Sequence, residues 1–471
     1  MSSLGMRRLA FVFFIILALV GISSAKQPNI VLFVVDDLGW MDLGCQGSDY
    51  YQTPNIDKLA ETGVRFTDAY AACAVCSPTR AAILTGKYPA RLMLTQWLPA
   101  GRWNAQKDKM REGRFLRALP LEEITLAEAL REEGYATWHV GKWHLGGEPF
   151  SMPRHHGFDI NIAGEDHGAP GSYFYPFKGK WQIPTTPHVV SKHTFDGGKE
   201  GDYLTDLLAA AAADLIRENN DKPFFLYFPF YNVHTPLQGK KDKVARYAAI
   251  PEKERQGSPK YAAMVESLDE GVGRVMDALR ESKLEENTLV LFTSDNGGFA
   301  RATTHGPLRA NKGSHYEGGI RVPLIITGAG VTEKGKTSDV SVTSSDLYPT
   351  ILDLAGLPAR PHQHIDGLSM AGVVNGGDKP ELEPIFWHYP HYNQHPSSNP
   401  VSIIRKDSWK LIEFLESGDI ELYNLENDIG ELKNLAESEP NLAAELLAEL
   451  QDWKTTVGAD PMLANPQFEG E

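Results

Sequence analysis

The run Asn29-Ile-Val-Leu-Phe-Val-Val35 is apolar and β-branched, and it stops abruptly at Asp36-Asp37. That pattern marks a strand buried on both faces of a sheet. Three more runs share it. Phe224-Phe-Leu-Tyr-Phe228 leads towards Asn232-Val-His234, Thr288-Leu-Val-Leu-Phe-Thr293 stops at Ser294-Asp295-Asn296-Gly297-Gly298, and Val322-Pro-Leu-Ile-Ile-Thr327 is the fourth. Helical patterns lie between them. Thr125-Leu-Ala-Glu128 is a capping box opening a helix that ends near Gly134, Leu204 to Ile216 is rich in Ala and Leu, and Val265, Leu268, Val272, Val275 and Leu279 recur at helical spacing. Strands alternating with helices predict an α/β fold: a large, mostly parallel sheet covered by helices. In such sheets functional groups gather beyond the carboxyl ends of the strands. The polar clusters quoted above stand at that edge while lying far apart in sequence.

Between residues 358 and 379 the chain becomes rich in Pro, Gly and His, which sets an expected boundary near residue 375. Beyond it, Val401 to Phe414 and Glu421-Leu-Tyr-Asn-Leu425 read as short antiparallel strands. Leu442, Leu446, Leu450 and Trp453 then describe an amphipathic terminal helix. Residues 376–471 are thus expected to form a small α+β subdomain after a catalytic unit over 26–375. At the start, Arg7-Arg8, a fourteen-residue apolar run from Leu9 to Ile22 and Ser23-Ser-Ala25 form a secretory signal peptide over 1–25. The run is short of the ~20 residues that span a bilayer. A periplasmic or secreted protein without a stable membrane anchor is expected.

The chain carries 46 basic against 61 acidic residues, a net charge of −15. Neutralising a phosphate backbone takes clustered Lys and Arg, so no nucleic-acid partner is expected. An anionic substrate would need a locally basic pocket. Cys45, Cys73 and Cys76 are the only cysteines. Three thiols cannot build a disulfide framework, and an odd thiol in an exported protein asks for a chemical role. Cys73-Ala-Val-Cys76 matches C-x-x-C, yet no thioredoxin-like unit surrounds it and no second pair completes a zinc site. Asp36-Asp37 and Asp295-Asn296 offer hard oxygen ligands of the kind that suit calcium, or magnesium with waters. Taken singly, each pair is also ordinary turn chemistry.

Cys76-Ser-Pro-Thr-Arg80, followed by Thr85-Gly86, resembles the signature of the type I sulfatases of the alkaline phosphatase superfamily. Thr79 stands where Ser is commoner. The resemblance implies that Cys76 is oxidised to formylglycine by a maturation enzyme that reads Pro78 and Arg80. It also implies that Asp36, Asp37, Asp295 and Asn296, with residue 76, hold calcium, magnesium being possible. Three further blocks resemble those of the family: Gly141-Lys142-Trp143-His144-Leu145-Gly146, Asn232-Val-His234-Thr-Pro236, and Asn311-Lys312-Gly313 with Tyr316-Glu-Gly-Gly319-Ile-Arg321-Val-Pro323. Weaker likeness continues through Ser345 to Gly356, Asp366 to Ser369, Arg405 to Ile412 and Glu421 to Leu425.

What the resemblance implies for the reaction follows charge logic. Arg80, Lys142, His144, His234 and Lys312 supply the positive field that a sulfate-like transition state demands. Calcium and Arg80 hold the hydrated aldehyde at residue 76, while Lys142, Lys312 and calcium bind the sulfate oxygens. One hydroxyl, deprotonated with help from Asp295, attacks sulfur. His234 protonates the departing alcohol and His144 takes the proton that lets sulfate leave. For specificity, two loops rich in aromatic, His and acidic residues suit sugars: His155 to Pro176, and Trp387 to His395. Their His167, His388 and His391 are the candidate substrate contacts, although such aromatics serve equally well to pack a seam between domains. The style of these loops resembles bacterial polysaccharide and glycosaminoglycan sulfatases, which implies a sulfated galactose or N-acetylgalactosamine unit. Two alternatives stay open: a phosphate or phosphonate ester hydrolase of the same superfamily, and an exported glycan-binding protein without catalysis on the same scaffold.

Overall fold

A computed structural model describes residues 26–98, 102–178, 182–183, 186–187, 198–219, 222–377 and 380–469. The expected signal peptide lies outside them. Among the described residues no helix is long and apolar enough to cross a membrane.

Strand β1 (Asn29–Val35) is buried along its whole length. It lies near the middle of a nine-stranded sheet with β2 (Gly63–Tyr70), β3 (Ala136–Val140), β4 (Ile160–Ile162), β5 (Phe224–Pro229), β6 (Thr288–Ser294), β7 (Arg321–Gly328), β8 (Lys336–Ser338) and β9 (Val342–Thr343). The spatial order is β8-β2-β7-β6-β1-β5-β3-β4, with β9 also pairing with β2. Strands β6, β1, β5, β3 and β4 run parallel. Only β7 is reversed, antiparallel to both β6 and β2. Its register with β2 shifts between Val322 and Leu324, around Pro323, which has no N–H to give a ladder. The reversal has a functional result. The chain leaves β1, β2, β3, β5 and β6 at one edge of the sheet, and it enters β7 from that same edge.

Side chains of β1 alternate between two cores, as a pleated strand requires. Val31, Phe33 and Val35 pack with helices α4 (Leu204–Arg217) and α5 (Pro259–Glu281). Ile30, Leu32 and Val34 pack with the opposite layer, which includes α2 (Cys76–Thr85), α3 (Leu126–Glu132) and α6 (Leu347–Leu354); α1 (Pro54–Thr62) joins the first layer through Ile56 and Leu59. The capping box at α3 is formed, with Thr125 Oγ1 accepting from the Glu128 amide at 3.2 Å and Glu128 Oε2 from the Thr125 amide at 2.8 Å. This is the expected α/β architecture.

Towards the C-terminus, β10 (Ile385–Tyr389), β11 (Val401–Lys406), β12 (Trp409–Phe414) and β13 (Ile420–Asn424) form an antiparallel meander, followed by α7 (Pro440–Val457). One face of this sheet, with Ile404, Leu411 and Leu422, packs on Leu446 and Leu450 of α7. The other face, with Trp387, Tyr389, Ile403 and Ile412, packs on Tyr70, Val75, Tyr316 and Ile320 of the large unit. Strand β10 falls in a segment expected to be a sugar-facing loop. Its aromatics are instead seam packing: the Trp387 ring meets Tyr70 at 5.7 Å.

The seam also holds a buried ionic cluster. Lys410 Nζ lies 2.9 Å from Glu317 Oε1 and 2.8 Å from Glu431 Oε1, and all three side chains are fully buried. Tyr70 donates to Glu317 Oε2 at 2.9 Å, Arg321 Nη1 does so at 3.1 Å, and the Glu317 amide donates to Glu431 Oε2 at 2.7 Å. Removing Lys410 leaves Glu317 with Arg321 as its cation and Glu431 without the buried lysine that faces it. Lys410→Met is expected to cost about 3–5 kcal/mol of stability, read from denaturant unfolding. A loss within error of zero would show that solvent reaches the two glutamates.

Candidate active site

The groups named from sequence converge on the edge where the strands end. Cys76 opens α2, and its Sγ and carboxylate oxygens of Asp36 and Asp295 lie within 4.8 Å of one another. Asp36, Asp37 and His234 form a second group by the same measure. One turn into α2, Arg80 donates through Nε (2.9 Å) and Nη2 (2.7 Å) to Asp295 Oδ2, and through Nη1 to the Lys142 carbonyl at 3.0 Å. Lys142 Nζ lies 2.7 Å from Asp36 Oδ2, Lys312 Nζ 2.5 Å from Asp37 Oδ1, and Asn296 Nδ2 donates to the same Asp37 oxygen at 2.8 Å.

Local backbone chemistry makes these approaches possible. A Cβ on Gly141 would stand 2.0 Å from the Pro229 carbonyl, so only glycine lets the ends of β3 and β5 close up and deliver Lys142. The Lys312 amide donates to the Gly298 carbonyl and the Gly313 amide to the Ala74 carbonyl, at 3.0 and 2.8 Å. Lys312 is thereby latched between the Asn296 turn and the loop entering α2. Asp37 and His144 both adopt left-handed φ, +64° and +59°. For non-glycine residues that conformation persists only where the surroundings over-determine it.

The donor set fits a hard divalent cation. Asp36 Oδ1 and Asn296 Oδ1 are buried acceptors that receive no hydrogen bond from the protein. Leaving such oxygens unsatisfied is costly, and an oxygen-coordinated cation answers that need. Burial pushes the Asp36 carboxyl well above the usual carboxylate range, against the pull of Lys142. Burial acts on Asp37 in the same sense, but Lys312 and His234 outweigh it and hold that carboxyl below the range.

The two histidines differ in what they present. His144 Nε2 lies 2.6 Å from the Leu98 carbonyl. A carbonyl only accepts, so Nε2 carries the proton and Nδ1, 3.3 Å from Cys76 Sγ, is left as a base. Burial, then Lys142, pulls its pKa far below the ordinary histidine value and keeps it neutral. His234 donates from Nδ1 to the Thr235 carbonyl at 2.8 Å, and its Nε2 stands 3.8 Å from Asp37 Oδ2. Burial and Lys312 lower its pKa as well, although its side chain is 15% exposed. Burial raises the Cys76 thiol in spite of Lys142 and Lys312. A thiol held protonated is a poor nucleophile in its own right.

The three candidate substrate histidines separate. The loop of His167 reaches the site: the Glu165 carbonyl accepts from the His144 amide at 3.1 Å, and Gly168 packs on the His144 ring. His167 itself pairs with Asp166 at 2.6 Å. His388 and His391 require a correction. His388 Nδ1 and Nε2 are taken by Ser402 Oγ (2.8 Å) and the Asp460 carbonyl (3.0 Å). His391 is held by Thr95 Oγ1 (2.7 Å) and Glu112 Oε2 (3.0 Å). With both ring nitrogens occupied inside the protein, the two are struts of the scaffold. The residue of that loop which does reach the site is His395. It packs directly on Gly313, beside Lys312.

The sulfatase family model matches residues 28–357. The chain belongs to the sulfatase family. A second model, N-sulphoglucosamine sulphohydrolase, C-terminal, matches residues 310–456. A sulfatase of Formosa agariphila is 33% identical over 91% of this chain and 89% of its own length. Human arylsulfatase A is 35% identical over 79% and 72%. Among solved structures, Ps i-CgsB is 34% identical with a TM-score of 0.76, covering 91% of this chain and 93% of that one. The same protein in complex with k-i-k-neocarrahexaose aligns at 33% identity and a TM-score of 0.75. This sulfatase is therefore a sulfuric ester hydrolase of the alkaline phosphatase superfamily. The family generally works with a formylglycine and a divalent metal, and Asp36, Cys76 and Asp295 offer an acidic group able to hold one.

Proposed function

We propose that this sulfatase is a periplasmic or secreted enzyme that removes sulfate from a carbohydrate, through residue 76 after its oxidation to formylglycine by a maturation enzyme. Its cation is a calcium, or a magnesium, held by Asp36, Asp37, Asp295, Asn296 and residue 76. The reading is carried by the meeting of Cys76 with Asp36 and Asp295, with His144 Nδ1 3.3 Å from the sulfur. The matured residue and the cation supply the nucleophilic oxygen and offset charge on the sulfate.

The chain's own side chains then have distinct tasks. Arg80 fixes Asp295 and the main chain at Lys142. Asp295 helps to deprotonate the attacking oxygen. Lys142 and Lys312 turn from the carboxylates to the sulfate oxygens, which strengthen their hold as the S–O bond breaks. His144 Nδ1 takes the proton at position 76. His234 gives one to the departing alcohol; the sulfate's negative charge counters the effect of Lys312 and favours its charged form on substrate binding. We assign 26–375 to the catalytic unit, 376–471 to a C-terminal subdomain and 1–25 to a signal peptide.

A sulfated galactose or N-acetylgalactosamine unit is the proposed substrate, with His167 at its rim. Two similarities support this choice: N-acetylgalactosamine-6-sulfatase of dog is 32% identical over 79% of this chain, and the ligand of Ps i-CgsB is a neocarrahexaose. The test combines mass spectrometry of the Cys76 peptide from the native host with assays on sulfated oligosaccharides, an aryl sulfate and an aryl phosphate. An aldehyde at residue 76 and sulfate release are the expected results. An unmodified thiol in an active preparation, or preference for the phosphate, would overturn the proposal.

A further inference from the structure

At the candidate catalytic edge stand two walls, of which the proposed reaction uses only the Leu98 carbonyl. The first is Gln96-Trp97-Leu98. Its Leu98 carbonyl holds His144, and its Leu98 amide donates to Ser77 Oγ at 3.2 Å, so the segment is bonded to the catalytic edge itself. Gln96 Oε1 accepts from the Trp97 amide at 3.0 Å and from the Tyr389 hydroxyl at 2.8 Å, which ties the wall to the end of β10. The second wall is the loop after β10. His391 anchors it to Thr95 and Glu112, and it ends in His395, whose ring meets the edge of Phe299 at 6.0 Å and packs on Gly313.

Arg102 completes the arrangement. Its guanidinium carbon sits 5.2 Å from the centre of the Trp97 ring, and the side chain is exposed. In a protein with 61 acidic residues, it forms no ion pair with any carboxylate among the described residues. His395 feels both Lys312 and Arg102, and with burial as the largest cause its pKa falls to about 4. At neutral pH it is an uncharged hydrogen-bonding ring. A guanidinium backed by an indole is rigid and weakly hydrated, and its planar fork matches a sulfate or carboxylate. Indole and imidazole faces suit the apolar face of a sugar.

We propose that Trp97, Arg102 and His395 form a second subsite, next to Lys312, that holds another anionic substituent of the same saccharide. The inference rests on the carbohydrate sulfatase reading and narrows it: the preferred substrate carries at least two anionic groups, a sulfate to be cleaved and a sulfate or carboxylate to be gripped.

Steady-state kinetics on the full chain decide it. Wild type, Arg102→Gln and Arg102→Lys are compared on an aryl sulfate, a monosulfated oligosaccharide, its disulfated counterpart, and a version with a uronate in place of the second sulfate. Wild type is expected to favour a two-anion substrate over the monosulfated one by about tenfold in kcat/KM, the scale of one charge-assisted hydrogen bond, expressed in KM. Arg102→Gln abolishes that preference and Arg102→Lys keeps part of it. Which of the two doubly charged substrates shows the effect identifies the gripped group. No preference in wild type overturns the subsite, and so does a loss in Arg102→Gln that is equal on all four substrates. An enzyme that hydrolyses no sulfate ester, the aryl sulfate included, sinks the underlying reading and the subsite with it.

Discussion

Cys76→Ala lowers sulfate release by about ten-thousandfold or more, the scale of losing a covalent nucleophile, and leaves the fold standing. The second half follows from the site's construction. Arg80, Lys142, Asp36, Asp37, Asp295 and Asn296 are held by bonds to one another, and none of these bonds runs through the sulfur. What the substitution removes is the sulfur's contact with His144 and its place beside Asp36 and Asp295. Thermal melting with far-ultraviolet circular dichroism checks the fold, and sulfate release checks the chemistry. Cys76→Ser sharpens the test. A serine oxygen can attack sulfur but lacks a second hydroxyl to expel it, so one equivalent of alcohol is released per site and turnover stops. Sustained turnover by the alanine variant would remove residue 76 from the role of nucleophile.

His234→Ala has the next largest effect, and its signature is a contrast between substrates. Sugar alkoxides are poor leaving groups, so losing the acid costs about 10²–10⁴-fold on an alkyl sulfate. An activated aryl sulfate departs without a proton and loses far less. The imidazole is oriented for the task, with Nδ1 spent on the Thr235 carbonyl and Nε2 turned towards the cation-binding edge at Asp37. Parallel measurements of kcat/KM on the two esters decide it. Equal losses on both would reassign His234 to holding Asp37.

Much of this architecture is legible in the chain because burial on both faces writes itself as unbroken apolar runs. Strands β1, β5, β6 and β7 are of that kind, and the polar residues at their ends are the catalytic edge. Strands β2 and β3 are hidden for a physical reason. The first carries Arg65, Thr67 and Asp68, which reach partners across the seam and at the sheet's margin, and the second carries a buried His139 paired with Asn161. The candidate catalytic set could be read because its residues sit in short, recognisable blocks. Trp97, Arg102 and His395 have no such block. Their significance arises from the packing of His395 on Gly313, and from the bonds to Tyr389 and His144 made by Gln96 and Leu98 on either side of Trp97, which only the folded chain creates. His388 and His391 misled for the complementary reason: a histidine among tyrosines is as good a strut as a sugar contact.

The ionic cluster at the seam has a practical consequence for anyone who wishes to dissect this enzyme. Glu317 follows Lys312 by one short turn of chain, and its carboxylate oxygen Oε1 and its amide are satisfied by residues contributed after β11. Cutting the polypeptide ahead of β10 would leave Glu317 with Tyr70 and Arg321 alone and strip the buried partners from its Oε1 and its amide. Trimming to a minimal hydrolase is expected to destabilise the large unit. Chimeras that swap the C-terminal region between relatives must carry Lys410 and Glu431 together, or leave Glu317 without those two partners.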